Sequence, residues 1–227
     1  MPVGSDKLAV FTCVTGGYDA VRRPLCAPPG VDFVCFTDDP PSVPAPWTAR
    51  PVPAELRELS AVKRQRVVKI CPHRYLPEYG TTLWVDGNVR VDKDVRAFAA
   101  RFDLGAFPLY TRPHPSRDCV YEEAAAVLSM RKDSPEVVGP LLERYRAEGF
   151  PPHSGLVETC LVLRRRDDRA CRAFCDEWAS EVMLNSRRDQ LSFNYVAWRR
   201  GFAYGRMEGM RRVSDGGFFD MARHARG

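Results

Sequence analysis

Short apolar runs rich in β-branched residues alternate along the chain with segments of helical periodicity. The runs at residues 8–14, 31–37 and 81–85 predict three buried strands, because each is followed by turn-forming residues such as Gly, Asp and Asn. Shorter runs predict further strands at residues 107–110 and 159–163. Helices are predicted at residues 61–70 (capped by Ser60), 94–102, 122–130, 136–148, 168–183 and 190–199.

The alternation of strands and helices in the first half of the chain predicts the fold class. Such an order favours an α/β fold, with a mainly parallel central sheet between two layers in a three-layer sandwich. Ligand sites in these sheets lie beyond the carboxyl ends of the strands. Residues 40–53 carry six prolines and are therefore expected to form a surface loop without regular structure.

Polar residues of ligand type follow each of the three apolar strands. Because parallel strands end at one edge of a sheet, these residues are expected to converge. Asp86 and Asn88, two apart on an extended chain, can offer two oxygens to one hard cation. An Asp-Gly step between two apolar runs is also the strongest short-range signal of a β-hairpin, and spacing alone favours the hairpin over the cation site. The residues in question are Thr15, Gly16, Tyr18 and Asp19, then Asp38, then Asp86, Gly87 and Asn88.

The charge balance favours an anionic small ligand. Lys plus Arg number 34 against 29 Asp plus Glu, and arginines dominate the excess, which suits a phosphate-bearing molecule. Arg66 and Lys69 are three residues apart and share a helix face, where they either meet such a ligand or form a solvated cationic surface. Acidic residues interleave with arginines at residues 164–169, so no nucleic-acid partner is expected.

Size and composition favour one domain over residues 1–227. The chain is 44% hydrophobic and has no apolar run of membrane-spanning length. Its first residues lack the basic start and long apolar segment of an export signal, so a cytoplasmic location is expected. The eight cysteines are interpreted as reduced thiols, because the spacing of Cys171 and Cys175 fits a helix face better than a zinc hook.

Several of these motifs together resemble a known family. They are similar to the glycosyltransferase-like domain of plant mucilage-related and turgor-regulation-defect proteins and their bacterial relatives. The resemblance covers most of the chain up to about residue 200 and is carried by residues 11–19, 33–38, 66–79, 83–89 (Leu-Trp-Val-Asp-Gly-Asn-Val) and 114–118.

The resemblance implies a GT-A fold with a Rossmann-like nucleotide-binding half. In that fold an Asp-x-Asp motif binds Mn²⁺ or Mg²⁺ and the donor is a nucleoside-diphosphate sugar. Here Asn88 stands at the position of the second acid, which removes one negative charge from the site. The implied metal ligands are Asp86, Asn88 and, near the end of the chain, His224; the implied donor contacts are Thr15, Gly16, Tyr18, Asp38, Arg66, Lys69 and Asp86.

The acceptor side is expected in the second half of the chain. A general base for an acceptor hydroxyl would be a carboxylate, and Asp118, Glu158 and Asp189 are the candidates, although Asp118 is equally suited to cap the following helix. The candidate acceptor-binding residues are His114, Arg117, Glu122 and Gln190.

The predicted organisation assigns residues 1–105 to donor binding, residues 106–208 to the acceptor and residues 209–227 to a flexible tail or lid. The predicted function is sugar transfer from a nucleoside-diphosphate sugar to a hydroxyl of a small molecule or glycan, and a homodimer is possible. Two alternatives are a metal-dependent, ceramidase-like hydrolase and a module that binds anionic ligands or nucleic acid. The four histidines are scattered, which disfavours the hydrolase.

Overall fold

Seven strands form the central sheet in the computed structural model, which describes residues 7–224. Two more strands, β5 and β9, form a separate ribbon. In chain order the strands are β1 (Leu8–Val14), β2 (Val31–Thr37), β3 (Thr48–Pro51), β4 (Thr81–Val85), β5 (Val89–Val91), β6 (Leu109–Pro113), β7 (Val157–Arg165), β8 (Gly205–Arg206) and β9 (Phe219–Met221). The helices are α1 (Ala61–Ile70), α2 (Pro72–Tyr75), α3 (Val95–Ala99), α4 (Val120–Ser129), α5 (Pro135–Ala147), α6 (Arg169–Leu184) and α7 (Gln190–Arg200).

The strand order in the central sheet is β3-β2-β1-β4-β7-β6-β8. Strand β1 pairs in parallel with both β2 and β4, whereas β7 pairs antiparallel with β4 and β6. The predicted α/β class with a mainly parallel sheet is therefore confirmed. Because β7 runs the other way, its first residues lie at the same edge as the carboxyl ends of β1 and β4.

Side chains of β1 alternate between two cores, one on each face of the sheet. Phe11 packs among residues of α1 and α4 to α7, whereas Val10 packs with α3 and with a small ribbon formed by β5 and β9. Both residues are fully buried. The chain therefore has the three layers that the sequence predicts, although the second outer layer is partly a β-ribbon.

Two local expectations were wrong. Strand β5 pairs with β9 near the end of the chain and not with β4, so the Asp-Gly-Asn step is not the turn of a hairpin. The proline-rich loop contains β3, which pairs in parallel with β2. Strand β3 lies at the edge of the sheet, where a strand tolerates prolines that cannot donate to a neighbour.

The last part of the described chain docks on the body of the protein. Strand β9 places Met221 beside Val89, and the amide of Ala222 donates to the carbonyl of Asn88 over 3.1 Å. The division into donor half, acceptor half and tail stays a prediction. None of the helices within residues 7–224 combines the length and the apolar character needed to cross a bilayer.

Candidate functional site

A pocket of about 490 Å³ opens at the carboxyl ends of β1 and β4, a volume in the range of small-molecule sites. Segments distant in sequence meet there: the turn after β1, one face of α1, the step after β4, the start of β7, the residues before α7 and the docked end of the chain. Predicted site residues in its lining are Thr15, Gly16, Tyr18, Arg66, Lys69, Asp86, Asn88, Glu158, Asp189, Gln190 and His224.

A buried network of charges forms the floor of the pocket. Asp189, which is 2% exposed, accepts hydrogen bonds at Oδ2 from Lys69 Nζ and Thr159 Oγ1, each over 2.8 Å. Its other oxygen lies 3.1 Å from Arg66 Nε. Burial alone would raise the pKa of Asp189, but the adjacent Arg66 and Lys69 cations hold it well below its usual range. The carboxylate is therefore ionised and saturated with donors, and it is unsuited to take up a proton.

Helix α1 positions the two cations of this network. Ser60 caps the helix by accepting a hydrogen bond from the amide of Lys63 over 3.4 Å, as the sequence predicts. The helix then directs Arg66 and Lys69 from one face towards Asp189. Lys69 is 2% exposed, so its ammonium contributes charge in a site from which water is largely excluded.

Asp86 follows β4 and faces the same cations. Its Oδ1 accepts a hydrogen bond from Trp84 Nε1 over 2.7 Å and lies 3.7 Å from Lys69 Nζ. The Asp86 side chain is 23% exposed, which leaves it accessible from the pocket. One oxygen of the carboxylate is thus engaged by protein donors, and Oδ2 has no hydrogen bond to any group within residues 7–224.

Asn88 has an unsatisfied acceptor in the same region. The residue is 5% exposed, and its Nδ2 donates to the carbonyl of Ala222 over 2.7 Å, which fixes the orientation of the amide. Its Oδ1 is buried and has no hydrogen-bond partner among the described residues. A buried acceptor without a partner costs about 1–3 kcal/mol. The carboxylate of Asp86 and this amide oxygen fit a hard divalent cation such as Mg²⁺ or Mn²⁺.

Gly87, between them, is in close contact with the turn after β1. A Cβ at this position would lie 2.7 Å from Val14 Cγ2 and 3.3 Å from Asp19 Cβ. His224 reaches the other side of Asp19, with Nδ1 2.9 Å from Asp19 Oδ2, and its ring centroid lies 5.2 Å from that of Tyr18. His224 is therefore at the rim of the pocket, and its role as a metal ligand stays a prediction.

Asp38 contacts the pocket indirectly, by holding the backbone of the lining residue Gly16. Both of its carboxylate oxygens accept from the amide of Gly16, over 3.2 and 3.0 Å, and Arg64 lies 3.6 Å from Oδ2. Gly16 has a φ of +65°, a conformation that favours glycine. Asp38 is not in the pocket lining within residues 7–224, whereas Tyr18 is 47% exposed and has a face open to a ligand.

Four predicted acceptor-side residues do not line this pocket in the described chain. His114 and Arg117 are engaged with the buried Glu123, at 3.6 Å and 2.6 Å respectively. Asp118 pairs with His153 over 2.7 Å at the surface, and Glu122 is exposed on α4. Asp118 does not cap α4 either, because the helix begins after Cys119 without a side-chain cap. The proposed roles of these four residues stay untested predictions.

Glu158 and Gln190, both expected on the acceptor side, line the pocket. Glu158 is 31% exposed at its side chain, and its Oε2 lies 2.5 Å from Nη1 of the buried Arg112. Gln190 Nε2 donates to the carbonyl of Val157 over 3.3 Å, while its Oε1 accepts from Arg188 Nη2 over 3.1 Å. One carboxylate and one amide are therefore fixed beside the charge network.

Sequence reasoning missed several polar residues of the lining. Arg188 is half-buried, and both its burial and the adjacent Arg66 cation lower its pKa. Thr159 joins Lys69 to Asp189 through its hydroxyl. The available signal was the Arg-Arg step directly before Asp189, which was counted only as charge. The additional polar lining residues are Gln65, Lys132, Thr159, Arg187 and Arg188.

Comparison with known proteins adds a family and a fold. A family model described as "TOD1/MUCI70, glycosyltransferase-like domain" matches residues 57–207. A search of curated proteins gave no match.

Two solved structures share the fold. The apo structure of the bifunctional glycosyltransferase WbbM is 11% identical, with a TM-score of 0.56 over 92% of this chain. This chain spans 40% of the length of WbbM. The apo structure of mouse xyloside xylosyltransferase 1 is 10% identical, with a TM-score of 0.50, and the match covers 88% of this chain and 84% of that one. The α/β architecture is thus one that glycosyltransferases also have.

Proposed function

The chain belongs to the TOD1/MUCI70 glycosyltransferase-like domain family, and on that premise we propose that it transfers a sugar from a nucleoside-diphosphate sugar to a hydroxyl acceptor. One observation carries this proposal. Arg66 and Lys69 are held by the buried Asp189 beside Asp86, so that two fixed cations and the candidate metal ligands Asp86 and Asn88 line one pocket. This combination suits a diphosphate.

The leaving group explains why the positive charges matter. When the bond between the sugar and the diphosphate breaks, negative charge grows on the diphosphate oxygens. Lys69 and Arg66 are rigidly positioned before the reaction, so they stabilise this charge without reorganisation. A divalent cation held by Asp86 and Asn88 would supply additional Lewis-acid stabilisation when bound.

We assign Asp189 a positioning role. Its oxygens are occupied by Lys69, Arg66 and Thr159, and its low pKa makes it a poor proton acceptor. Its contribution is to hold the two cations in place in a site with 2% exposure. Asp189 therefore acts through Lys69 and Arg66.

Glu158 is the best placed carboxylate for the acceptor hydroxyl. It faces the pocket, retains 31% exposure, and is engaged by Arg112 through one oxygen. The proposal is that its other oxygen accepts the proton of the acceptor hydroxyl, while Gln190 supports the acceptor from the start of α7. Tyr18, which is 47% exposed, is suited to stack on the nucleoside base.

The two alternative functions have less support. Of the four histidines, His73, His114 and His153 pair with carboxylates outside the pocket, so no histidine cluster is present among the described pocket residues to hold a hydrolytic metal. The arginine-rich segment after β7 is internally paired, since Arg165 lies 3.2 Å from Asp167 and 3.3 Å from Asp168. This pairing reduces the positive field that nucleic acid would require.

A thermal-shift panel tests the proposed function. Nucleosides, nucleoside diphosphates and nucleoside-diphosphate sugars are added with and without Mn²⁺ or Mg²⁺, because a ligand that binds the native state raises its stability. The expected result is that one base gives a shift with the diphosphate and a much smaller shift with the nucleoside alone. Equal shifts for nucleoside and diphosphate, or none with any base, would contradict the proposal. The nucleoside-diphosphate sugar of the base that gives a shift is then incubated with a library of hydroxyl acceptors, and the release of nucleoside diphosphate is measured.

A further inference from the structure

A second group of side chains that could hold a metal ion lies among residues outside the pocket lining of the described chain. Cys71 follows α1, His73 is in α2 and Asp176 is in α6. Helix α1 starts beside the turn after β1, where Thr15 Oγ1 donates to the carbonyl of Ala61. Lys69, in the last turn of α1, still lines the pocket, whereas Cys71, His73 and Asp176 are not among its lining residues in the described chain.

The three side chains already lie close to the spacing of a tetrahedral metal site. One ligand atom of each residue lies within 4.8 Å of the other two. His73 Nε2 is 2.9 Å from Asp176 Oδ1, and Cys71 Sγ is 4.0 Å from the same oxygen. Zinc bonds of about 2.0–2.3 Å at tetrahedral angles place neighbouring ligand atoms roughly 3.3–3.6 Å apart. Small side-chain movements would therefore bring the three atoms around one ion.

The ligand types also suit a borderline-soft metal. Thiolate, imidazole and carboxylate together are a zinc-type donor set, whereas Mg²⁺ and Ca²⁺ prefer oxygen.

Arginines next to the three side chains donate hydrogen bonds of the kind that orient metal ligands. Arg74 donates from Nε and Nη2 to Asp176 Oδ1, over 3.0 and 2.6 Å, and so fixes the position of the oxygen that lies nearest to His73 and Cys71. Arg164 Nη1 lies 3.7 Å from Cys175 Sγ and donates to the carbonyl of Ile70 over 2.7 Å. Hydrogen bonds to ligating carboxylates of this kind orient them towards a metal. The Asp176 side chain is 44% exposed, so solvent can occupy the fourth position.

We propose that Cys71, His73 and Asp176 bind a divalent transition metal of the zinc class. The ion would connect the junction of α1 and α2 to α6, and its role is structural. Lys69 is in the last turn of α1, and Arg164 donates to its carbonyl over 2.8 Å. The ion therefore stabilises the end of the helix that carries a pocket cation. The proposed metal site shares no residue with the proposed donor site, and its occupancy is measured without sugar transfer.

Cobalt titration of the metal-free protein tests the proposal. Co²⁺ is expected to bind stoichiometrically, with a thiolate-to-metal charge-transfer band that Zn²⁺ removes. Cys71→Ser should lose this band, whereas Cys119→Ser, which changes another buried cysteine, should keep it. Asp86→Ala should also keep it, which separates this site from the pocket. Persistence of the band in Cys71→Ser, or no band in the wild type, would overturn the proposal.

A second variant keeps the proposal testable if the Cys71→Ser protein does not fold. Asp176→Asn changes a half-exposed side chain, so the fold is expected to persist. Its affinity for Zn²⁺, measured by competition with a chromogenic chelator, should fall by at least about tenfold. An unchanged affinity in a folded Asp176→Asn protein would exclude Asp176 as a ligand and overturn the three-residue site. If the metal-site proposal fails in these experiments, the thermal-shift test of nucleotide binding keeps its outcome, so the two proposals are tested separately.

Discussion

Replacing Asp189 by Asn tests the charge network at the floor of the pocket. The substitution keeps the size of the side chain and removes its negative charge. Lys69 is 2% exposed and would lose its 2.8 Å ion pair, while Arg66 would lose its 3.1 Å contact. The ammonium of Lys69 would retain only Asp86, at 3.7 Å, as a counter-charge within the described chain.

The magnitude follows from the burial of both partners. Removing one member of a buried pair costs about 3–5 kcal/mol, because the other charge is left uncompensated. For a chain of this size each kcal/mol lowers the melting temperature by roughly 2–4 °C, so a decrease of about 6–20 °C is expected. Asp118→Asn is a matched control: its carboxylate is 66% exposed and pairs with His153 at the surface. That control should change stability by less than about 1 kcal/mol.

Urea denaturation as a function of pH distinguishes the electrostatic cause from a packing defect. The folded pKa of Asp189 is depressed below its unfolded value of about 3.9. Its stabilising contribution is therefore present above about pH 4 and is lost as the pH falls towards the folded pKa. The difference between wild type and Asp189→Asn should be constant near neutral pH and shrink below about pH 4. A difference under about 1 kcal/mol at pH 7, or one that does not change with pH, would refute the reasoning.

Three further predictions concern the pocket. Lys69→Met should weaken nucleoside-diphosphate binding about 10–100-fold and leave nucleoside binding unchanged, because hydrogen bonds to charged groups contribute about 1.5–3 kcal/mol; calorimetry that gives equal diphosphate affinities would contradict this. Asp86→Ala should abolish any shift caused by Mn²⁺ or Mg²⁺ in the presence of nucleotide while the protein stays folded, since this side chain is 23% exposed; an unchanged metal response would exclude Asp86 as a ligand. Glu158→Gln should lower kcat about 10²–10⁴-fold with little change in the KM for the donor, and steady-state kinetics with a normal kcat would exclude a role in proton transfer.

The central strands were predictable because each is a continuous apolar run. Such runs at β1, β2 and β4 mark strands buried on both faces, as is typical of parallel sheets. Helices α1 and α2 lie between β2 and β4, whereas the described residues between β1 and β2 form no helix. The same logic places Thr15 and Asp86 at one edge, where the structure has them. This part of the site depends on local patterns and on a general rule of sheet topology.

The parts of the fold and of the site that the sequence did not predict depend on contacts between distant segments. Val89 pairs with Met221, and no local pattern distinguishes this partner from β4. His114 and Arg117 were expected at the acceptor, but the buried Glu123 engages both, and the burial of a glutamate in α4 is not readable from spacing. Likewise, Asp189 was recognised as a carboxylate of interest, whereas its saturation by two cations of α1 requires the folded chain.

The contact between Asn88 and Ala222 has a practical consequence for work with this protein. A single backbone carbonyl near the carboxyl terminus sets which way the Asn88 amide faces. Truncation before this residue would let the amide rotate and present nitrogen in place of oxygen. Activity measured on a preparation that ends before Ala222 would therefore describe an altered pocket.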